Sequence, residues 1–183
     1  MRTQAHIAWV GQAWITPGVG LFLGQAGNNQ CHRHMAVQLA ISLEAPVRVV
    51  SAGGELCAPA VAIRAGLEHR IEASRLLSIY LDPFCAEARA LRLNEPLQRL
   101  ALGDPGVLLE ALQQVDMPAA ELRQALNLYL QLPPAAPLEP RLLRLLPLLD
   151  DPDCNLQQLA QQVHLSPSRF SHWFTASSGL PLR

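Results

Sequence analysis

Residues 155–174 read NLQQLAQQVHLSPSRFSHWF. Asn155 is a strong helix N-cap, and Gln158 three residues on completes a capping box. Leu156, Leu159, Ala160 and Val163 then give a short helix one apolar face, with Ala160 small where a second helix must come close. Ser166 followed by Pro167 is a second N-cap with proline at the first helical position. Phe170, Trp173 and Phe174 form the apolar face of the helix it starts. His164, in the turn, is among the non-glycine residues that tolerate a positive φ. Two short helices joined this way fit a helix-turn-helix, and the pattern alone fits a plain packing hairpin as well. On the first reading Ser166, Ser168, Arg169, Ser171 and His172 face outward to the major groove, and Arg169 is the bidentate base reader among them.

The segment Leu156–Gly179 resembles the first helix-turn-helix of the AraC family of transcription regulators. That family's pattern of Leu-Ala, then Leu-Ser-x-Ser-x-aromatic or Leu, then Phe and a terminal Gly is met by Leu159-Ala160, Leu165-Ser166, Ser168, Phe170, Phe174 and Gly179. The resemblance implies operator DNA as a partner. The family's domain holds two such motifs joined by a long helix, and the sequence ends at Leu180-Pro181-Leu182-Arg183, where that helix begins. A fragment and a naturally short, dimerising antagonist of full-length relatives are the two explanations. From Arg141 onward four Arg stand against three Asp, so weak DNA binding is expected of residues 141–183.

Upstream, residues 133–140 hold four prolines in eight and read as a stiff linker. Arg141–Leu149 beyond it is a leucine-rich helix, broken at Asp150-Asp151-Pro152-Asp153. Residues 83–132 are rich in strong helix formers, with helices expected over Pro83–Leu93, Glu95–Leu102, Pro105–Val115 and Pro118–Leu132. Leu122, Leu126 and Tyr129 make an apolar stripe on the last. Such a stripe serves either the chain's own core or the seam of a homodimer.

Residues 1–82 have another texture. Short apolar runs at His6–Val10, Gly20–Leu23, Val37–Leu43, Val47–Val50, Ala60–Arg64 and Leu76–Leu81 are separated by glycine- and proline-bearing turns. That spacing predicts a β-barrel or sandwich. His32 and His34 lie two apart, on one face if the segment is a strand, and Gln38 follows at the same parity. Gly66-Leu67-Glu68-His69 sets a third histidine after a turn. The arrangement resembles the cupin fold, whose metal site takes His-x-His-x3-carboxylate from one strand and Gly-x2-His from another. His32, His34 and His69 match, Gln38 stands where the Glu belongs, and Arg64 replaces the proline before the glycine turn. Many AraC-family members carry such a sensor ahead of the DNA-reading half. The resemblance implies one divalent ion (Zn, Ni, Cu or Fe) on His32, His34, Gln38 and His69, or else a polar lining for an organic ligand bound without metal. Trp9, Trp14 and Phe22 suit core packing, with the barrel mouth as the other place for them; His6 is an ordinary strand or arm residue.

The fold class expected is therefore α+β: a cupin-like barrel, helices, a linker and an all-α tail. Half the residues are apolar, 16% are charged and the net charge is −1, which excludes a general nucleic-acid glue. No apolar run is long enough to span a membrane and no signal-like stretch opens the chain, so a cytoplasmic protein is expected. Cys31, Cys57, Cys85 and Cys154 form no CxxC pair and read as reduced, mostly buried thiols. The function expected is a ligand- or metal-responsive regulator, not an enzyme. The alternative is a metal-dependent cupin isomerase or dioxygenase.

Overall fold

The computed structural model describes residues 9–27, 30–114, 117–149, 151–178 and 180. By internal contacts the chain divides into two units, Met1–Ala135 and Ala136–Arg183. His6, Val115, Asp150 and Gly179, each part of an expectation above, lie outside the described residues.

The first unit grows from a tight hairpin. Pro17-Gly18 joins β1 (Val10–Thr16) to β2 (Val19–Gln25), with Thr16 opposite Val19. Proline fixes φ at the first turn position, and Gly18 takes the φ of 77° that a type II turn requires. At the other end Gly11 faces Gly24, where a Cβ on either would meet a carbonyl oxygen of the opposite strand at 2.2 Å.

Three further strands in the expected runs are β3 (Val37–Ser42), β4 (Val47–Ser51) and β6 (Ala60–Ile63), and β8 (Arg75–Leu81) completes the match. Four strands went unforeseen: β5 (Gly54–Ala58), β7 (His69–Glu72), β9 (Leu97–Arg99) and β1, which shares only Val10 with the expected run His6–Val10. All pairings are antiparallel and make a six-stranded sheet ordered β1-β2-β8-β3-β6-β9 and a three-stranded sheet ordered β5-β4-β7. One apolar cluster draws Ala40, Val61 and Ile63 from the larger sheet and Val47, Val49, Ala58 and Ile71 from the smaller. Leu39, Leu77, Ile79 and Leu81, which alternate with the inward residues, are fully buried too. A sheet covered on both faces explains why β3 and β8 read as continuous apolar runs.

The helix expected over Glu95–Leu102 is instead strand β9, paired with β6, so the sheet draws on residues beyond 82. Pro96 is the reason: it removes a backbone donor and holds Glu95 out of helical geometry, and its carbonyl accepts from Arg64 N at 2.9 Å. The other expected helices form in shortened versions, α1 (Ala86–Ala90), α2 (Gly106–Ala111) and α3 (Ala119–Leu130). Glu87 of α1 accepts from Arg123 Nε of α3 at 2.9 Å. Leu122, Leu126 and Tyr129 are 2%, 0% and 7% exposed within the single chain. The stripe thus serves the chain's own core, the first of its two readings, and is not available as a homodimer seam. The expectation of buried thiols also fails, since Cys31 and Cys57 are exposed and Cys85 and Cys154 half-buried.

In the second unit α4 (Pro140–Leu149), α5 (Leu156–Gln162) and α6 (Pro167–Ser178) enclose Leu142, Leu145, Leu159, Ala160, Val163, Phe170 and Phe174. The capping box forms as expected: Gln158 N donates to Asn155 Oδ1 at 3.1 Å, and Asn155 N donates to Gln158 Oε1 at 2.8 Å. Among the described residues no helix is long and apolar enough to cross a membrane.

Truncating Leu126 to Ala is expected to cost about 2–5 kcal/mol in urea unfolding. Leu128→Ala, at a position 60% exposed on the same helix, is expected to cost under about 0.5 kcal/mol. A reversed order would show that α3 presents its other face to the core.

Candidate functional site

His32 and His34 do not lie in a regular strand. His32 forms an isolated antiparallel bridge with His69 at the head of β7, each backbone N–H donating to the other's carbonyl at 2.9 and 2.8 Å. His34 is placed by its own carbonyl, which accepts from Gly66 N at 2.8 Å. Gly66 holds that turn at a φ of 78°, a conformation that favours glycine. His32, His34 and His69 therefore converge through a loop and a bridge, not through side-chain parity along a strand. Arg64, at the position where the cupin pattern has proline, donates to Leu93 O at 3.2 Å.

One ring nitrogen from each of His32, His34 and His69 lies within 4.8 Å of the others. Ring centroids are 4.7 Å apart for His32 and His69, 5.3 Å for His34 and His69, and 5.9 Å for His32 and His34. Nitrogens sharing one tetrahedral zinc at about 2.1 Å lie about 3.4 Å apart, so the rings would close by up to about 1.4 Å on binding it.

The other nitrogen of each ring is committed. His32 Nδ1 is 3.0 Å from Gln30 O, His34 Nδ1 is 3.0 Å from Ala36 O, and His69 Nδ1 is 2.9 Å from Leu67 O. A carbonyl only accepts, so each Nδ1 carries the hydrogen and donates it. In the neutral ring this leaves the lone pair on Nε2, the state a metal ligand needs. Burial, with smaller contributions from the two neighbouring histidines, lowers His69 to about 4, so it is neutral at pH 7. The donor set fits a divalent transition-metal ion.

Gln38, on β3 and 1% exposed, sits against these rings. Its Oε1 lies 2.9 Å from His34 Nε2 and 3.1 Å from His69 Nε2. Its Nε2 lies 3.1 Å from Ser78 Oγ and 3.2 Å from Tyr80 Oη, both on β8. The β3–β8 register makes this possible, placing Gln38 opposite Tyr80 and Ala40 opposite Ser78 on one face. Burial raises the Tyr80 phenol above its ordinary value, so it keeps its hydrogen at neutral pH. Ser78 and Tyr80 escaped the sequence reading. Their signal was two polar residues at the same parity in the apolar run Leu76–Leu81. An open cavity of about 420 Å³ adjoins the rings, lined by Trp9, Gln30, Cys31, His32 and Tyr80. Trp9, edge-on to Phe22 at 5.2 Å, thus lines a cavity mouth rather than filling the core.

In the second unit, Ser166, Ser168, Arg169 and His172 are exposed and Ser171 is half-buried. Ser166 Oγ accepts from Arg169 N at 3.4 Å, an N-cap on α6, and Ser171 Oγ donates to Pro167 O at 3.1 Å. Phe170 and Phe174 turn the other way, into the core. His164 adopts a φ of 57° in the turn between α5 and α6. Arg141 places its guanidinium 5.8 Å from the Trp173 ring.

No family model and no curated protein matches the chain. Among solved structures it is similar to a Neisseria meningitidis protein at 18% identity and a TM-score of 0.36, over 40% of this chain and 84% of that one. It is similar to a cupin domain from Bordetella pertussis at 12% identity and a TM-score of 0.33, over 44% and 97%. AerE from Microcystis aeruginosa gives 12% identity and a TM-score of 0.32, over 55% and 57%.

His69 also makes a prediction about pH. An unfolded histidine takes up its proton near 6.5, and the folded one only near 4. The unfolded chain therefore binds more protons between those values. Stability falls as pH drops through that window and levels off, for this group, below it. Urea unfolding at pH 7 and pH 4.5 should show the loss in wild type and a smaller loss in His69→Gln. An equal loss in both would contradict the assignment.

Proposed function

We propose that this chain is a metal- or ligand-responsive transcription regulator of the AraC type, with a cupin-type sensor in its first unit and a helix-turn-helix in its second. The observation that carries the reading is the convergence of His32, His34 and His69 on one point, each with Nδ1 tied to a carbonyl and the Nε2 atoms of His34 and His69 meeting at Gln38 Oε1. His32, His34 and His69 would hold the ion, with Gln38 Oε1 as the fourth donor. Three imidazoles and an amide oxygen suit Zn, Ni, Cu or Fe in the divalent state. A bound cation supplies positive charge and Lewis acidity beside the adjoining cavity, where a small-molecule effector has room and an aromatic wall in Trp9.

For the second unit, the support is the capped α5, the left-handed turn at His164 and the exposed start of α6. Ser166, Ser168, Arg169, Ser171 and His172 are the proposed DNA-facing residues, and Arg169 is the base reader. Occupancy of the sensor would bias two states that differ in their affinity for DNA. A cytoplasmic homodimer belongs to the proposal, with a contact face other than the buried stripe of α3.

An enzyme is the second reading, and the open cavity beside the histidines favours it, since a catalytic metal keeps a position for substrate. None of the described residues lining that cavity is an Asp or Glu able to serve as acid or base.

Selection from a random double-stranded DNA library, with Zn²⁺ and with EDTA, tests the regulator reading. It predicts an enriched sequence whose recovery depends on zinc. Arg169→Ala should weaken binding to that sequence by about 1–3 kcal/mol and relax one base position. No enrichment in either condition would contradict it.

A further inference from the structure

Gln38 faces two imidazoles and two hydroxyls, and its amide can meet them in two ways. With Oε1 toward the rings, the contacts at 2.9 and 3.1 Å set an acceptor against two lone pairs. The Nδ1 hydrogens are already given to Ala36 O and Leu67 O, so a ring in its neutral form has no hydrogen left for the amide. For neutral rings that orientation is sound only when a cation takes up the lone pairs and the oxygen together. Then the amide NH₂ donates to Ser78 and Tyr80.

Half a turn of the amide reverses every role. The NH₂ group donates one hydrogen to His34 Nε2 and one to His69 Nε2, while Oε1 accepts from the Ser78 and Tyr80 hydroxyls. Both hydroxyls can rotate to donate, and every polar atom of the buried amide again has a partner. A carboxyl at this position has no such exchange of roles: without metal it must take up a proton, or protonate a ring, to avoid holding a buried negative charge against two lone pairs.

We infer that Gln38 is a two-position residue: a cation on the histidines turns its oxygen inward, loss of the cation turns its NH₂ inward, and Ser78 and Tyr80 reverse their hydroxyl hydrogens with it. The consequence is a site that is fully hydrogen-bonded both loaded and empty, which suits reversible exchange rather than permanent metal retention. The cation-driven half of this inference rests on the metal reading above.

The test is nuclear magnetic resonance on ¹⁵N-labelled protein, with zinc binding read separately by calorimetry. In the metal-free protein, couplings across N–H···N hydrogen bonds should connect Gln38 Nε2 to His34 Nε2 and His69 Nε2. One equivalent of Zn²⁺ should abolish both. Gln38→Glu should lower the metal-free melting temperature and widen the rise that zinc produces. Zinc bound with the couplings unchanged, or Nε2 hydrogens on His34 and His69 in the metal-free protein, would overturn the inference and leave the metal reading standing. Calorimetry showing no zinc bound, with the couplings present, would overturn the metal reading and the cation-driven turn together.

Discussion

A buried amide has four hydrogen-bonding demands, and at Gln38 they must all be met inside an apolar sandwich. Leaving one unmet costs on the order of 1–3 kcal/mol, a large share of a small domain's stability. The first unit meets the demand by bringing four side chains from three separate segments to one point. His34 comes from the loop before β3, His69 from the head of β7, and Ser78 and Tyr80 from β8. The two sheets are thereby linked through one side chain of the larger.

That requirement fixes the register around it. Sliding β3 by one residue against β8 would put Leu39 where the rings and hydroxyls converge and send Gln38 to the opposite face. The flanking pairs, Leu39 with Ile79 and Ile41 with Leu77, lock the same alignment by apolar packing. The His32–His69 bridge then closes the loop side of the site with two short backbone hydrogen bonds. Placing the rings is therefore a matter of backbone pairing, and aiming them is a matter of three carbonyls two residues away.

Much of this was legible in the sequence because it is local. The capping box at Asn155, the Ser166-Pro167 helix start, the positive φ at His164 and the glycine turn before His69 are decided within a few residues. The set His32, His34, Gln38 and His69 was also found, although parity along a strand was the wrong reason for His32 and His34. What escaped depends on distant partners. Ser78 and Tyr80 reach Gln38 across about 40 residues of chain. β9 is a strand because Pro96 forbids a helix and the edge of β6 is there to be paired. β5 and β7 are short and partly exposed, with too few apolar residues to show a period. Tyr129 reads equally as core or as seam until burial decides.

The proposed function rests on three imidazoles that converge closely enough to share one metal ion. The most direct test is the metal content of protein purified without a histidine tag, beside a His32→Ala/His34→Ala double variant. The account predicts close to one divalent transition-metal ion per chain in the wild type, regained with added Zn²⁺ or Ni²⁺ after stripping, and none in the variant. A folded wild type that holds no metal and takes up neither ion would contradict it.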